Sequence, residues 1–236
     1  MDPSASPFIN LRRFAERGEL DAALAARLTS AAVAPAAGAI MLAGGTTPAP
    51  AFALIASRGV RAAPGVRILY SDERHVPASS DASNYHLSLP LLAGLSVPDA
   101  QVLRVLTELP LAAAALDYER RLASLLKEGG RVRLGLLGLG ADGHTASLFK
   151  SADLEACRGH LAIGVQRPDG RAAVSVTPDF LAQVDEILFV VAGADKTPAL
   201  ERLKARDPTL TAWRAVARCA RVEVWADAAA WPQTAA

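Results

Sequence analysis

The sequence predicts a single-domain α/β fold with a mostly parallel, doubly wound sheet of Rossmann-like type and helices on both faces. Short apolar runs that contain β-branched residues alternate with longer segments rich in Ala and Leu, which is typical of strands and helices that follow each other along a parallel sheet. A length of 236 residues suffices for one domain with a full core, and 51% hydrophobic content with 21% charged content is typical of a globular chain. We therefore treat residues 1–236 as one domain and expect residues 1–9 to be flexible.

The predicted strands are short and apolar, whereas the predicted helices are longer and repeat their apolar residues with a helical period. About eight strands are predicted, at residues 39–43, 66–71, 101–106, 132–138, 161–165, 172–176, 187–192 and 222–225. Helices are predicted at residues 11–32, 48–57, 84–92, 110–128, 196–205 and 209–218. Pro48 can occupy the first turn of its helix, because its missing N–H is not needed there. No internal repeat or low-complexity linker interrupts the alternation.

Charge and cysteine content exclude several classes of function. Lys and Arg number 25 against 24 for Asp and Glu, so the net charge is +1, and no basic block is present that could bind a nucleic acid or an anionic membrane. Cys157 and Cys219 belong to no CxxC or Cys/His cluster, which argues against a zinc site or a disulfide framework and favours a reducing cytoplasm. The first ten residues lack the pattern of a signal peptide. We expect a cytoplasmic protein without a metal, a nucleic-acid partner or a membrane contact.

Four loops are the candidate sites for chemistry, because each directly follows a predicted strand. In open parallel sheets, ligands bind outside the carboxyl ends of the strands, where the loops lead into helices. The four loops cover residues 44–48, 71–74, 138–144 and 193–196. We expect them to meet at one edge of a single sheet.

The first loop, Gly44-Gly45-Thr46-Thr47-Pro48, has the features of a phosphate site. Glycines allow the backbone to approach an anion closely, the amino terminus of a helix presents free N–H groups, and threonines add hydroxyl donors. The Lys-Ser/Thr pair of a Walker P-loop is missing, which disfavours nucleotide hydrolysis. A tight turn with a capping threonine is the alternative interpretation.

The second loop carries Asp72, Glu73, Arg74 and His75 directly after a strand. Successive residues of an extended chain point to opposite sides, so one acid can hold the arginine while the other faces a cleft. A guanidinium is suited to bidentate binding of a phosphate or a carboxylate. An exposed ion pair without a function is the alternative.

The third loop formally matches the G-x-G-x-x-G motif of dinucleotide sites, at residues 138–143. Asp142 would place a negative charge beside the pyrophosphate, and no acid stands at the end of a following strand to bind a ribose. We prefer a loop that brings Asp142 and His144 to the ends of the strands, where the carboxylate can orient the imidazole. Histidine can accept a proton from water near neutral pH, so His144 is a candidate general base. A histidine that only packs or caps in a turn is the alternative.

The fourth loop ends in Lys196 at the start of a predicted helix, where a cation interacts unfavourably with the helix dipole. An anionic ligand shared with the first loop would offset this cost, although an ordinary exposed lysine is equally compatible with the pattern. Arg171, which precedes a predicted strand, is a weaker candidate of the same type.

Four motifs in this order resemble those of the 6-phosphogluconolactonase family, which shares its fold with glucosamine-6-phosphate deaminases. The resemblance extends from about residue 43 to residue 196, with a weaker match at residues 224–227. The motifs are Leu-Ala-Gly-Gly-Thr-Thr-Pro at 42–48, Asp-Glu-Arg-His-Val-Pro at 72–77 with Ser-Asn-Tyr at 83–85, Leu-Gly-Leu-Gly-Ala-Asp-Gly-His-Thr-Ala-Ser-Leu-Phe at 137–149, and Gly-Ala-Asp-Lys at 193–196.

The resemblance implies hydrolysis of 6-phosphoglucono-δ-lactone to 6-phosphogluconate in the oxidative pentose phosphate pathway, without a cofactor or a metal. The family pattern assigns His144 as the general base and Asp72 and Asp142 as acidic pocket residues. It assigns anion binding to Gly44, Gly45, Thr46, Arg74, Arg171 and Lys196. The expected partner is therefore a phosphorylated sugar lactone. The sequence leaves the oligomeric state open, and we favour a monomer. The chain departs from the family pattern at Lys150, where a proline is common, at Ser71, where larger residues are frequent, and in the alanine-rich strand after Arg171.

Two alternative functions remain. Deaminases of this fold carry a glutamate five residues beyond the histidine, and this chain has Phe149 there, which cannot relay a proton. A non-catalytic sugar-phosphate sensor is the second alternative, but about 38 residues before the first predicted strand leave little room for a DNA-binding domain.

The predicted mechanism uses His144 to take a proton from the water that adds to the lactone carbonyl and to return one to the leaving ring oxygen. Such general acid-base catalysis contributes about 10² to 10⁴ in rate. The oxyanion needs a donor, and Arg74, Arg171 or a backbone N–H of the glycine loop is a candidate.

Overall fold

The computed structural model describes residues 8–35 and 38–231. Its strands are β1 (Phe8–Phe14), β2 (Ala39–Leu42), β3 (Arg67–Tyr70), β4 (Asp72–Arg74), β5 (Val102–Leu103), β6 (Val132–Gly138), β7 (Ala162–Gln166), β8 (Ala172–Val176), β9 (Ile187–Val191) and β10 (Arg221–Asp227). Its α-helices are α1 (Arg17–Val33), α2 (Ala49–Ala56), α3 (Asn84–Gly94), α4 (Leu111–Lys127), α5 (Ser151–Ala156), α6 (Pro178–Leu181), α7 (Thr197–Lys204) and α8 (Thr211–Val216).

A seven-stranded sheet with strand order β1-β10-β9-β6-β2-β3-β5 forms the centre of the molecule, and every strand pair in it is parallel. Successive side chains of its strands enter different cores. Ile40 and Leu42 pack with helices α1, α2 and α3, whereas Met41 packs with helices α4, α7 and α8 on the other face. The predicted doubly wound α/β fold is therefore confirmed.

A second, three-stranded antiparallel sheet with the order β4-β8-β7 lies beside the main sheet. The prediction of a single sheet is wrong in this respect, because the runs at 161–165 and 172–176 form β7 and β8 of the smaller sheet. Asp72, Glu73 and Arg74, predicted as a loop, form strand β4, since they pair with Ser175, Val174 and Ala173 of β8. The chain thus passes from the main sheet into the smaller one within the acidic motif.

The predicted helix at residues 11–32 is wrong over its first six residues. Residues 8–14 form β1, which pairs with β10 over its whole length, and α1 begins only at Arg17 behind a capping box formed by Glu16 and Glu19. Charged residues interrupt the apolar pattern of this edge strand, so the sequence did not indicate a strand here. In the structure, the guanidinium of Arg12 lies over the rings of Phe14 and Trp225. Of the segment expected to be flexible, residues 1–7 lie outside the described residues, and residues 8–9 belong to β1.

The remaining differences are smaller. The predicted strand at 101–106 is reduced to Val102–Leu103, and two short helices, α5 and α6, were not predicted. Thr177 starts α6 by accepting the backbone N–H of Phe180. Within the described ranges, no helix has the length and apolar character needed to span a bilayer.

Candidate active site

The structure brings the four loops together around one cleft of about 210 Å³ at the carboxyl ends of β2, β6 and β9. Strand β4 of the smaller sheet supplies the acidic side of this cleft. Seven of the predicted site residues line it: Gly44, Gly45, Thr46, Asp72, Arg74, His144 and Lys196. Asp142 contacts His144 from outside the lining, and Arg171 does not belong to the cleft.

In the glycine-threonine loop, a neighbouring side chain leaves room only for a glycine at position 44. A Cβ at Gly44 would lie 1.8 Å from Oδ1 of Asn84, so the amide of Asn84 occupies the space that a side chain would need. Gly45 has φ +84°, a conformation that other residues rarely adopt. Arg17 fixes the end of the loop by donating Nη2 to the carbonyl of Thr47 at 2.8 Å. The loop is therefore held by contacts within the protein before any anion binds.

His144 is oriented by Asp142 from one side of its ring. Nδ1 of His144 lies 2.5 Å from Oδ1 of Asp142, and the same oxygen accepts the backbone N–H of His144 at 3.1 Å. Partial burial raises the pKa of Asp142, but the hydrogen bonds from His144 outweigh this and leave the pKa below its ordinary value. With a proton on Nδ1 pointing at the carboxylate, the lone pair of Nε2 is free to accept a proton.

The loop before His144 leaves room for its ring through a second glycine. A Cβ at Gly140 would lie 2.0 Å from Nδ1 of His144 and 2.5 Å from Oδ1 of Asp142. The backbone N–H of Gly140 donates to the carbonyl of His144 at 2.9 Å, which closes the loop. Phe149 packs against the imidazole, with 4.3 Å between ring centroids. The glycine motif at 138–143 thus supports the acid-imidazole pair.

Asp72 is 5% exposed and accepts two serine hydroxyls. Ser71 donates to its Oδ1 at 3.0 Å, and Ser147 donates to its Oδ2 at 2.7 Å. Nη1 of Arg167 lies 3.9 Å from the same Oδ2. Asp72 is therefore a buried carboxylate at the wall of the cleft, held by hydrogen bonds from the protein.

Glu73 points away from the cleft and does not hold the guanidinium of Arg74, contrary to the expectation for one of the two acids. Its buried carboxylate accepts the backbone N–H groups of Asn84 and Tyr85 at 2.7 and 2.8 Å, at the start of α3. Burial raises the pKa of Glu73 more than these hydrogen bonds lower it. Arg74 instead donates Nη1 to Oδ1 of Asn84 at 2.6 Å and to the carbonyl of Ala82 at 3.1 Å.

Asn84 contacts several residues of the cleft, and the sequence analysis did not single it out, apart from its place in a motif. Its amide contacts Gly44, accepts from Arg74 and donates to the carbonyl of Asp72 at 2.7 Å. One buried side chain therefore connects three of the cleft's walls. The only signal in the sequence is its position after Ser83, the residue that caps α3.

The second arginine that lines the cleft is Arg167, whereas the predicted Arg171 lies outside the lining. Both arginines flank the turn between β7 and β8, and both contact Asp169 in that turn. Arg171 remains 49% exposed there, whereas Arg167 is 12% exposed, lines the cleft and places its guanidinium 5.1 Å from the ring of Phe149. The turn directs one arginine inward and one outward, and sequence spacing does not distinguish them.

Lys196 ends a 3-10 turn that leads into α7, and its Nζ lies 2.9 Å from Asp195 at the edge of the cleft. The turn begins at Gly193, whose N–H donates to the carboxylate of Asp227 at 3.2 Å. Asp227 lies in the segment that matched only weakly at residues 224–227. Over residues 8–35 and 38–231, no group of three or more His, Cys, Asp or Glu side chains is arranged to hold a metal ion.

Comparison with known proteins gives a consistent result. A family model described as glucosamine-6-phosphate isomerases/6-phosphogluconolactonase matches residues 16–225. The 6-phosphogluconolactonase of Synechocystis is 32% identical over 215 residues, covering 87% of this chain and 86% of the relative. That of Thermotoga maritima is 34% identical over 175 residues, covering 72% of this chain and 76% of the relative.

Solved structures show the same likeness. The 6-phosphogluconolactonase from Thermotoga maritima superposes with a TM-score of 0.77 at 26% identity, covering 93% of this chain and 99% of that one. The enzyme of the same name from Trypanosoma brucei gives a TM-score of 0.78 at 26% identity, with 95% and 97% covered. A monomeric glucosamine-6-phosphate deaminase at 17% identity gives a TM-score of 0.79, with 94% and 98% covered, and shares the fold.

Proposed function

Because the chain belongs to the glucosamine-6-phosphate isomerase/6-phosphogluconolactonase family, we propose that it hydrolyses 6-phosphoglucono-δ-lactone to 6-phosphogluconate. The observation that carries this proposal is the pair of His144 and Asp142, 2.5 Å apart at the rim of a cleft that also contains Lys196 and two arginines. A base beside several cations suits the attack of water on an anionic ester. The reaction belongs to the oxidative pentose phosphate pathway.

The deaminase alternative is not favoured. Ring opening and isomerisation of an amino sugar need a further acid next to the histidine, and the side chain in that place is Phe149, in ring contact with His144. Ester hydrolysis needs only one group that accepts and returns a proton. The relatives from Synechocystis and Thermotoga maritima also carry the name of the lactonase.

In the proposed reaction, Nε2 of His144 takes a proton from water as its oxygen bonds to the carbonyl carbon of the lactone. Asp142 stabilises the imidazolium that forms, since its carboxylate stays ionised. The tetrahedral intermediate then collapses, the bond from the carbonyl carbon to the ring oxygen breaks, and the imidazolium returns the proton to that oxygen. Water is consumed and one carboxylic acid with one hydroxyl is formed, so the atoms balance.

The cations have separate tasks in this proposal. Lys196 and Arg167 hold the phosphate together with Gly44, Gly45 and Thr46. Phosphate is a dianion and is bound well by several cations and backbone N–H groups. Binding at this remote group orients the carbonyl toward the histidine.

Arg74 is the proposed donor to the oxyanion. Its Nη1 is fixed by Asn84 and by the carbonyl of Ala82, so its guanidinium is held in position before the substrate binds. Such preorganised donors are the ones that stabilise a transition state most. Asp72 contributes a fixed negative charge that positions the cations around it.

We also propose that the protein acts as a monomer in the cytoplasm on this small-molecule substrate, without a nucleic acid. The cleft is complete within one chain, which supports a monomer. Both cysteines are free thiols, which supports a reducing compartment. The net charge of +1 supports the small substrate over a polyanion.

The test is hydrolysis of freshly prepared 6-phosphogluconolactone, followed by acid release above the spontaneous background. We expect His144→Ala to lower kcat by about 10²-fold or more with little change in substrate binding. His160→Ala is the matched control, because His160 is half exposed and contacts Glu119 at 3.1 Å away from the cleft. Full activity of His144→Ala would remove the histidine from the chemistry, and binding without turnover by the wild type would favour a sensor.

A further inference from the structure

We propose that Ser147 is a positioning residue that keeps Arg167 directed at the phosphate of the substrate and prevents it from closing onto Asp72. This inference rests on the proposed function, since it gives Arg167 a phosphate to bind. Ser147 is fully buried and lies three residues after His144, on the loop that carries the base. It is not itself among the residues that line the cleft.

The hydroxyl of Ser147 stands between two opposite charges. Its Oγ accepts Nη1 of Arg167 at 2.9 Å and donates to Oδ2 of Asp72 at 2.7 Å. The guanidinium and the carboxylate are themselves 3.9 Å apart. One hydroxyl satisfies both groups, because it can donate and accept at the same time.

Without that hydroxyl, the two charges would approach each other. An arginine and a carboxylate that meet directly settle at about 2.7 to 2.9 Å, often through two parallel hydrogen bonds. Asp72 is the more firmly held of the two groups, because it is 5% exposed, Ser71 donates to its Oδ1 and the amide of Asn84 donates to its backbone carbonyl. Arg167 would therefore move toward Asp72, out of the position in which its Nη2 can reach a phosphate oxygen.

The position of Ser147 is fixed by its backbone. Its N–H donates to Oγ of Ser175 on β8 at 3.2 Å, which ties the loop to the smaller sheet. The neighbouring Ala146 has φ +49°, an uncommon conformation for a residue with a side chain. A strained residue that persists in a cleft indicates that its surroundings determine its conformation.

The guanidinium of Arg167 keeps one edge for a ligand. Its Nη1 is bonded to Ser147 and its Nε lies 3.3 Å from Asp169, whereas Nη2 has no hydrogen-bond partner in the described part of the chain. The side chain lies over the ring of Phe149 and is 12% exposed. Two of its nitrogens thus fix its orientation, and the third is available to a phosphate oxygen.

The test compares Ser147 with Ser71, a second serine that donates to Asp72 and that itself lines the cleft. Ser147→Ala and Ser71→Ala each remove a hydroxyl that donates to Asp72, but only Ser147 also bonds Arg167. We expect Ser147→Ala to raise KM for 6-phosphogluconolactone about tenfold with kcat within about threefold, because a hydrogen bond to a charged group is lost. The rise for Ser71→Ala should be at least fivefold smaller.

Arg167→Ala and the double variant Ser147→Ala/Arg167→Ala complete the cycle. If Ser147 acts through Arg167, its removal adds nothing to KM once the arginine is gone. Equal effects of the two serine variants, or an additive effect in the double variant, would overturn the positioning role. If Arg167→Ala itself leaves KM unchanged, the assignment of the phosphate site fails instead. Should Ser147→Ala not fold by near-UV circular dichroism, Ser147→Cys keeps the volume and makes the same comparison.

Discussion

Adding one methyl group at Gly140 should displace the imidazole of His144 and lower kcat while leaving the fold intact. A Cβ built there lies 2.0 Å from Nδ1 of His144, whereas ordinary contact begins at 3.4 Å, so the two atoms must separate by about 1.4 Å. Gly140 is not among the residues with positive φ, so alanine suits its backbone. The ring of His144 is 26% exposed and Asp142 is 58% exposed, and both can move outward into solvent.

This displacement sets the size of the effect. A misplacement of about 1 Å in a reacting group can cost on the order of 10²-fold in rate. We therefore expect Gly140→Ala to lower kcat about 10²-fold, close to the effect of His144→Ala, with a small change in KM because the phosphate site is untouched. The free energy of unfolding should change by less than about 1 kcal/mol, since the displaced side chains lie at the surface.

The measurements are initial rates of lactone hydrolysis and chemical denaturation of the same preparations. Gly138→Ala is the matched control, because it adds the same methyl group two residues earlier, where no atom lies within 4 Å of the new Cβ. A normal kcat in Gly140→Ala would refute the reasoning, because the imidazole would then work from a position 1.4 Å away. An equal loss of kcat in Gly138→Ala would mean that crowding of the cleft, and not displacement of the imidazole, causes the effect.

Two further predictions concern the charges around the site. Lys196→Ala should raise KM for the phosphorylated lactone more than for unphosphorylated gluconolactone. Arg171→Ala is the control and should change neither KM, since Arg171 is bonded to Asp169 outside the cleft. Equal effects of Lys196→Ala on both substrates would contradict a contact between Lys196 and the phosphate. The pKa of Glu73 is raised in the folded state, so protonation of its carboxyl group favours folding. The stability that the protonated group contributes is fully present below the ordinary pKa of 4.5. It is lost as the pH rises through the pKa of the folded state. Denaturation of the wild type and Glu73→Gln across this range should show the wild type losing stability relative to the variant as the pH rises, and a relative gain would mean that hydrogen bonds outweigh burial.

The convergence of the loops was predictable because it follows from the geometry of a parallel sheet. Gly44, His144 and Lys196 each stand just after a main-sheet strand, so the strand pattern alone places them at one edge. The pairing of Asp142 with His144 was predictable for a different reason, since the two residues are separated by a single glycine and meet within one loop. Local spacing and strand order are both readable from a single sequence.

The contacts of Asn84 and Arg167 were not predictable in this way. Asn84 reaches Asp72 and Arg74 from the start of α3, and nothing in its own neighbourhood of the sequence indicates those contacts. Arg167 and Arg171 are equivalent in spacing around one turn, and only the folded structure shows which of them faces inward. The smaller sheet itself was missed because β4 is three residues long and rich in charge, which is the composition of a loop.

The two sheets each supply one half of the cleft, so a change in one half need not alter the other. His144 and Lys196 are carried by the main sheet, whereas Arg167 is carried by the tip of a hairpin whose turn, from residue 167 to residue 171, contacts solvent. Insertions and deletions are tolerated best in such exposed turns. Lengthening this turn would shift the reach of the guanidinium and leave the imidazole where it is, so the two sides of the cleft can change separately.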